Sequence, residues 1–270
     1  MTGFVSALPM YDWPEARAET DAVWARLRDA LRAAGLAAPD RLARRNADLP
    51  PVPGGIRDGQ GNVIAPDPAT LRPEGLDLHT LWRHPSLLFA QACWGPLELG
   101  LNTHVRVIGQ PDYSAYEGGA GSCYSSAIVM RKEAAAEWFD GSVRAPEDGR
   151  PSLPLDILRG GRFAYNSLDS MSGIIALTRD LEAAGKNVGI FGERIETGAH
   201  RASLIAVAEG RADICAVDCR TWALARRFEP RAASLRVAGW TGRRPGLPYI
   251  TALEAPHGIA EALRDFLAPK

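Results

Sequence analysis

One stretch of the sequence, residues 165–181, decides the fold and reads YNSLDSMSGIIALTRDL. Apolar residues recur at helical spacing from Ile174 onward, and short polar residues and a glycine precede them. The N–H groups of a first helical turn have no intrahelical partners and together carry about half a positive charge. Ser170, Ser172 and Gly173 therefore mark either an ordinary capped helix or a helix tip that binds an anion. This stretch alone leaves both interpretations open.

A second helix start repeats this pattern in residues 196–218, which read ETGAHRASLIAVAEGRADICAVD. Gly198 and His200 open a predicted helix whose Leu204 and Val207 face inward. An imidazole beside first-turn N–H groups donates a hydrogen bond to an oxyanion when it is protonated. Two small-residue helix tips in one α/β segment favour an anion site over two separate caps.

Acidic residues follow two of the predicted strands. Asp218 ends the strand pattern ADICAVD, and Tyr11 and Asp12 follow the first strand pattern, FVSALP. Open α/β sheets bind their ligands outside the carboxyl ends of the strands, which makes these residues candidate ligand contacts. The alternative interpretation is helix capping: Asp218 suits the start of a helix near Thr221, and Asp12 and Glu15 have capping-box spacing.

The remaining sequence alternates strand and helix patterns, which predicts an α/β fold. Residues 46–73 interrupt the alternation with a Pro- and Gly-rich segment, predicted to be a surface insertion with one short hairpin around residues 59–62. Residues 186–199 are predicted to be an irregular link between two helices. Gly35 and Gly185 are predicted to end two of the helices.

Several motifs that occur in order make the sequence similar to a known family. The most specific are DSMSG at 169–173 and TGAHRAS at 197–203, and further matching segments are LLFAQACWGP, CYSSAIVMR, AVDCRTW and PGLPYIT. Together they resemble the phosphonate-type substrate-binding proteins of ABC transporters, which belong to the type II periplasmic binding protein superfamily. The resemblance covers most of the chain apart from 46–73 and about 133–153.

This resemblance implies an α/β fold of two lobes, each a mostly parallel sheet flanked by helices, joined by two crossing strands near 122–130 and 240–251. The first lobe is expected to comprise residues 1–121 and 241–270, and the second residues 122–240. The resemblance also implies that the ligand lies in the cleft between the lobes, which close over it.

The candidate ligand-binding residues follow from the two helix tips, the strand ends and the resemblance. They are Tyr11, Asp12, Gln91, Cys93, Trp94, Tyr124, Asn166, Ser170, Ser172, Gly173, Gly198, His200 and Asp218. Two motifs depart from the family pattern. Cys93-Trp94-Gly95-Pro96 replaces the family's Cys-Gly-Tyr-Pro, and Met171 lies between the two serines where the family has a threonine.

Composition excludes several partners. With 31 basic and 32 acidic residues the formal charge is −1, so neither nucleic acid nor an anionic membrane surface is an expected partner. No stretch approaches the ~20 apolar residues of a membrane span, which argues against direct membrane insertion. The amino terminus has no signal-peptide pattern, which predicts a cytoplasmic protein, or a periplasmic one if translation starts upstream. The 4 cysteines form no C-x-x-C pair and are predicted to be reduced thiols, and no cofactor or metal motif occurs.

Three hypotheses for the function remain. The leading one is a non-catalytic protein that binds a small organic ligand with a phosphonate, phosphate, sulfonate or carboxylate group in the interlobe cleft. Its partners would be the membrane subunits of an ABC transporter or a cytoplasmic protein. A second is a cytoplasmic enzyme of the lyase or dehydratase type, similar to chorismate dehydratase; its acid, base or orienting groups would be Asp12, Asn166, His200 and Asp218. A third is a cytoplasmic sensor that docks a partner through the 46–73 insertion.

Overall fold

A computed structural model describes residues 3–267, which fold as two compact units. The first unit comprises the residues up to 111 together with those from 247 onward, and the second comprises residues 112–246. The lobe boundaries expected from the sequence, 121/122 and 240/241, both lie inside this second unit.

Strands and helices alternate along the chain, as the sequence pattern predicts for an α/β fold. The strands are β1 (Val5–Ala7), β2 (Ile56–Arg57), β3 (Val63–Ala65), β4 (Leu87–Gln91), β5 (Val105–Gly109), β6 (Gly119–Ala120), β7 (Cys123–Tyr124), β8 (Ser126–Arg131), β9 (Arg162–Tyr165), β10 (Glu193–Glu196), β11 (Ile214–Asp218), β12 (Leu235–Trp240), β13 (Arg244–Pro245) and β14 (Tyr249–Ala252). The α-helices are α1 (Arg17–Ala33), α2 (Leu78–Arg83), α3 (Trp94–Glu98), α4 (Lys132–Ala135), α5 (Leu155–Leu158), α6 (Ala176–Ala183), α7 (His200–Ala208), α8 (Cys219–Phe228) and α9 (Ile259–Ala262).

The sheet of the first unit has the strand order β1-β4-β14-β5. β1 and β4 are parallel, whereas β14 is antiparallel to both of its neighbours, β4 and β5. Three strands therefore run in one direction and β14 runs against them. Every residue of β4 is buried, and the amphipathic helix α1 contributes Trp24, Leu27 and Leu31 to the same core.

The main sheet of the second unit has the strand order β10-β9-β11-β8-β12. β9 is parallel to β10 and β11, whereas β8 is antiparallel to β11 and β12. As in the first unit, one strand runs against the rest, and the mixed α/β architecture confirms the predicted fold class. Because β8 runs against β9 and β11, its first residue lies at the sheet edge where those two strands end.

The predicted insertion is packed into the first unit. β2 and β3 pair as the hairpin expected around residues 59–62, and Ile56 of this hairpin is 3% exposed. His84 fixes the segment, because its Nε2–H donates to the carbonyl of Pro50 at 2.9 Å while its Nδ1 accepts from Ser86 N–H at 3.1 Å. The insertion is therefore held in place by a buried histidine that forms hydrogen bonds through both of its ring nitrogens.

Two local predictions are wrong. The link predicted to be irregular contains β10, which pairs with β9; its sequence, ERIE, has no apolar alternation because most of this edge strand is exposed. The capping box of Asp12 and Glu15 does not form. The chain enters α1 through a 3₁₀ turn, Pro14–Ala16, without a side-chain cap, and Asp12 instead pairs with Arg44.

Candidate functional site

The first predicted helix tip is built just beyond the end of β9. Ser170 is the N-cap residue, because its Oγ accepts a hydrogen bond from Gly173 N–H at 3.1 Å. The residues Met171–Ile175 form one π-helical turn before α6 continues, and such wide turns are frequent at functional sites. A Cβ at position 173 would overlap Asn166 Oδ1, so a larger residue there would have to displace the Asn166 side chain.

The second predicted tip is the start of α7, whose first residue is His200. Two backbone hydrogen bonds pin the preceding turn to the end of β9: Thr197 N–H donates to Tyr165 O and Gly198 N–H donates to Asn166 O, each at 2.9 Å. Gly198 has a φ of +80°, a conformation that favours glycine. The start of α7 is thereby held beside Asn166.

A side-chain contact joins the two tips. Ser172 Oγ and His200 Nε2 are 2.9 Å apart, within hydrogen-bond distance, and Ser172 is only 2% exposed. The two serines of the first tip therefore have different roles: Ser170 caps the helix, and Ser172 contacts the second tip. The structure thus brings together two groups that lie in separate sequence motifs.

Asp218 acts as the N-cap of α8. Its Oδ1 accepts from Thr221 N–H at 2.9 Å, and its Oδ2 accepts from the Thr221 hydroxyl at 2.6 Å. Asp218 is 1% exposed, and its Oδ2 lies 3.9 Å from His200 Nε2. The capping interpretation of Asp218 is confirmed, and its carboxylate is committed to donors of the protein itself.

Three buried side-chain atoms in this region have no hydrogen-bond partner within residues 3–267: Asn166 Oδ1, His200 Nδ1 and Ser126 Oγ. Ser126 is the first residue of β8 and lies directly opposite Asp218 in the antiparallel register. Buried polar groups in native proteins nearly always have a partner, and leaving one unpaired costs about 1–3 kcal/mol. The concentration of such atoms marks this edge of the second unit's sheet as the candidate site.

Burial lowers the pKa of His200 below its usual value, and the nearby carboxylate of Asp218 partly offsets this effect. The imidazole is therefore neutral near pH 7, with one ring nitrogen a donor and the other an acceptor. In the tautomer whose Nε2 accepts from the Ser172 hydroxyl, Nδ1–H is a donor available to an oxyanion.

The arrangement lacks the geometry of a Ser-His-Asp catalytic triad. In a triad the carboxylate holds the ring nitrogen opposite the one that contacts the serine. Here Asp218 approaches the same nitrogen as Ser172, and both of its oxygens accept from Thr221. Hydrogen-bond donors beside two helix N-termini suit the binding of an oxyanion better than the activation of a nucleophile.

The candidate residues of the first unit lie at the ends of β1 and β4. Gln91 is the last residue of β4, is 2% exposed, and has an Nε2 without a hydrogen-bond partner in the described part of the chain. Tyr11 and Cys93 are buried, and Trp94 begins α3. Tyr11, Gln91, Cys93 and Trp94 remain predicted ligand contacts.

Two further candidates are held by neighbouring side chains. Arg44 Nε lies 2.6 Å from Asp12 Oδ2 and its second nitrogen 3.1 Å from Asp12 Oδ1, and the hydrogen bond to Asp12 raises the pKa of Arg44. The charge of Asp12 is thus neutralised within the first unit. Tyr124 lies in the second unit, is 1% exposed and packs against Tyr113 with ring centroids 5.4 Å apart.

The described residues contain neither a cluster of metal ligands nor an activated cysteine pair. No group of three or more His, Cys, Asp or Glu among residues 3–267 is placed to hold a metal ion. The four cysteines are free, and burial raises the pKa of Cys215 and Cys219 well above that of an ordinary thiol. A raised pKa disfavours the thiolate, which is the reactive form.

Sequence reasoning missed Ser126 and Arg44. Ser126 occurs in SCYSSAIVM, where polar residues precede an apolar run, a pattern that indicates the start of a strand. Only the reversed direction of β8 places this strand start at the edge where Asp218 ends β11, and the sequence does not encode direction locally. Arg44 reaches Asp12 across 32 residues, a separation that no local pattern predicts.

Comparison with protein families gives one match. The sequence model of the family described as ABC transporter, phosphonate, periplasmic substrate-binding protein matches residues 99–268. This span is more than half of the 270 residues and contains both helix tips. No curated protein sequence matches the chain.

Several solved structures share the fold. PhnD1 from Prochlorococcus marinus in complex with methylphosphonate is 16% identical with a TM-score of 0.60, over 97% of this chain and 83% of that chain. A binding protein component of an ABC phosphonate transporter from Pseudomonas aeruginosa is 15% identical with a TM-score of 0.59, over 98% of this chain and 73% of that chain. A histidine kinase sensor domain with similarity to periplasmic binding proteins is 14% identical with a TM-score of 0.53, over 98% of this chain and 91% of that chain. At these identities the likeness concerns the fold alone.

Proposed function

The chain belongs to the family of periplasmic substrate-binding proteins of phosphonate ABC transporters, and from this premise we propose that it binds a small phosphonate-like oxyanion at the sheet edge of its second unit. It is a ligand-binding component of the ABC-transporter type, and its partners are a small ligand and the membrane subunits of a transporter. The proposed contacts are Ser172 and Gly173 of the first helix tip, Gly198 and His200 of the second, and Asn166 beside both.

The observation that carries this proposal is the 2.9 Å contact between Ser172 Oγ and His200 Nε2. It unites two helix N-termini, whose first-turn N–H groups have no partner in the helix ladder and which carry a partial positive charge. His200 Nδ1 and Asn166 Oδ1 are buried beside them without partners in the described residues. A bound oxyanion would accept from His200 Nδ1–H and from the first-turn amides, which gives this ring nitrogen the partner that it lacks.

The charge of the ligand would be balanced by dipoles and hydrogen-bond donors. None of the proposed contacts is a Lys or an Arg. Helix N-termini bind phosphate, sulfate and carboxylate groups in this way without a cationic side chain. Because the Prochlorococcus marinus protein was solved in complex with methylphosphonate, that compound is the first ligand to test.

A binding role is favoured over catalysis. The enzyme hypothesis requires an acid or base among Asp12, His200 and Asp218. Asp12 is paired with Arg44, Asp218 caps α8 with both oxygens, and no carboxylate orients His200 through its second ring nitrogen. The proposed role is therefore substrate delivery to a transporter, without chemistry on the ligand.

The proposed location is the periplasm, where the family acts. Within residues 3–267, no helix has the length and apolar character needed to cross a lipid bilayer. Such a protein would meet the membrane subunits of its transporter at the membrane surface.

A thermal-shift panel tests the proposal. Wild type is expected to be stabilised by methylphosphonate, with smaller shifts for phosphate, methanesulfonate and acetate. Ser172→Asp places a carboxylate at the helix tip, and repulsion between like charges should weaken methylphosphonate binding by at least about 100-fold.

Ser142→Asp is the matched control, because Ser142 is an exposed serine of the same unit outside both helix tips. This variant should respond to methylphosphonate as wild type does. Equal stabilisation of wild type and Ser172→Asp by the same anion would show that the helix tips are not the site, and no stabilisation by any of the four anions would overturn the ligand class.

A further inference from the structure

We propose that Ser126 is an additional ligand-binding residue of the oxyanion site and that its hydroxyl favours a tetrahedral headgroup over a planar one. This inference rests on the proposed function, because it concerns the same sheet edge. The residue lies outside both helix-tip motifs and belongs to a third element, β8.

The side-chain hydroxyl of Ser126 is buried and has no hydrogen-bond partner in the described residues. The residue is 0% exposed, and its Oγ has no hydrogen-bond partner in the part of the chain that the structure describes. An unpaired buried hydroxyl destabilises a protein. A bound ligand atom that forms a hydrogen bond with Ser126 would remove this cost.

The backbone around Ser126 is fixed by a reciprocal pair of hydrogen bonds. Ser126 N–H donates to the Thr241 hydroxyl at 2.8 Å, and Thr241 N–H donates to the Ser126 carbonyl at 3.0 Å. Thr241 is itself 1% exposed. Thr241 is therefore a positioning residue that holds the backbone of Ser126 while leaving its hydroxyl uncommitted.

The register of β8 places Ser126 beside the helix tips. Ser126 lies directly opposite Asp218, and residues opposite one another in an antiparallel pair have side chains on the same face, with Cβ atoms about 4.5–5.5 Å apart. Asp218 Oδ2 lies 3.9 Å from His200 Nε2, and His200 lies 2.9 Å from Ser172. A chain of short contacts thus leads from Ser126 to both tips.

Three elements then present donors to one ligand group. The π-helical turn offers the backbone N–H of Ser172 in its first turn, α7 offers His200 Nδ1–H, and β8 offers the Ser126 hydroxyl. A phosphonate or sulfonate carries three terminal oxygens in a tetrahedral arrangement, whereas a carboxylate carries two in a plane. A third donor from a third direction matches the tetrahedral group, so Ser126 should contribute to the preference for phosphonate over carboxylate.

The test is isothermal titration of wild type and Ser126→Ala with methylphosphonate and with acetate. A hydrogen bond to a charged group corresponds to about a tenfold to hundredfold change in affinity, and this loss is expected for methylphosphonate, with a smaller loss for acetate. The melting temperature of the ligand-free variant should equal or exceed that of wild type, because the substitution removes an unpaired buried hydroxyl.

Thr80→Val is the matched control, since Thr80 also carries a fully buried hydroxyl without a partner within residues 3–267, but lies in α2 of the first unit. It should leave both affinities unchanged. Ser126→Cys, which keeps a weak hydrogen-bond donor at this position, provides a second variant and should lose less affinity than Ser126→Ala.

The outcomes separate the two proposals. If wild type binds methylphosphonate and Ser126→Ala binds it equally well, the role of Ser126 is refuted while the proposed function stands. A variant that loses ligand-free stability but keeps wild-type affinity would show a purely structural serine and refute the role as well. If wild type binds none of the oxyanions, the proposed function fails and this inference fails with it.

Discussion

The strand ends of both units carry polar side chains, but these side chains differ in whether the protein itself supplies their hydrogen-bond or ion-pair partners. In the first unit, Asp12 follows β1 and is neutralised by Arg44 at 2.6 Å. In the second unit, Asn166, His200 and Ser126 each have a buried polar atom without a partner in the described residues. An acidic residue at a strand end is therefore weak evidence for a ligand contact, because the protein can satisfy it internally. Several unsatisfied buried donors and acceptors at one sheet edge are the stronger sign, and Gln91 of the first unit, whose Nε2 also lacks a partner in the described residues, remains a predicted contact.

Two histidines, one in each unit, show the same contrast. His84 in the first unit uses both ring nitrogens, donating to Pro50 O and accepting from Ser86 N–H. His200 in the second unit uses one, since its Nε2 meets Ser172 while its Nδ1 lacks a partner within residues 3–267. His84 thus has a structural role and His200 has capacity left for a ligand.

The largest effect is expected from Gly173→Ala. The new Cβ would overlap Asn166 Oδ1 and crowd Ser170 Oγ, so the helix tip must rearrange. We expect methylphosphonate binding to fall below detection by calorimetry and the free energy of unfolding to fall by about 1–3 kcal/mol. Gly59→Ala is the control, because a Cβ there meets no atom within 4 Å. Retention of wild-type affinity by Gly173→Ala would show that this tip does not hold the ligand.

A smaller effect, confined to stability, is expected from Arg44→Met. The substitution leaves the Asp12 carboxylate, whose side chain is 10% exposed, without its closest cation. The free energy of unfolding should fall by on the order of 1–2 kcal/mol in a urea titration, a value discounted because Arg44 is partly exposed to solvent. Methylphosphonate affinity should remain within twofold of wild type. A large loss of affinity would mean that the first unit's ion pair belongs to the site.

The matched control for Arg44→Met is Arg45→Met. Arg45 pairs with Asp48 at 2.9 Å, but its side chain is 60% exposed. Exposed pairs contribute about 0–1 kcal/mol, so this variant should unfold almost as wild type does.

Stability is expected to depend on pH through the two histidines. Burial lowers the pKa of both His84 and His200, so each stays neutral in the folded protein at a pH where it is protonated in the unfolded chain. The unfolded chain then binds more protons as the pH falls below about 6.5, and the free energy of unfolding decreases; above that pH this stability is fully present. Urea titrations at pH 7.5 and 5.5 measure the difference. His84→Gln should reduce the pH dependence, and an unchanged dependence would contradict the buried neutral state of His84.

The smallest effect is expected from Asp58→Ala in the inserted hairpin. Asp58 accepts from Gln60 N–H, from Asn62 N–H and from the Asn62 side chain at 2.8–3.0 Å, but it is only partly buried. We expect a small fall in the melting temperature and no change in methylphosphonate affinity. A change in affinity would connect the insertion with ligand binding.

Much of this architecture is predictable from local patterns. The apolar periodicity of residues 16–34 predicts α1, and the Gly35 stop agrees with a φ of +80° at the end of that helix. The two helix tips are predictable because Ser170, Gly173 and Gly198 have local steric and capping requirements. β10 is not predictable in the same way, since an exposed edge strand needs no apolar alternation.

The contacts that define the site are mostly beyond local prediction. The pairing of Asp12 with Arg44 and the placement of Ser126 opposite Asp218 depend on which strands lie side by side and in which direction. Capping and ligand binding also require the same residue types, so sequence left the role of Asp218 open. The structure shows the capping role, because both of its oxygens accept from Thr221.

A crystal structure of the protein with methylphosphonate would locate the ligand. We expect the phosphonate group at the meeting point of the two helix tips of the second unit, with one oxygen within hydrogen-bond distance of His200 Nδ1 and others close to the first-turn amides and Ser126 Oγ. A methylphosphonate bound elsewhere, with His200 Nδ1 bonded to a group of the protein, would contradict this expectation.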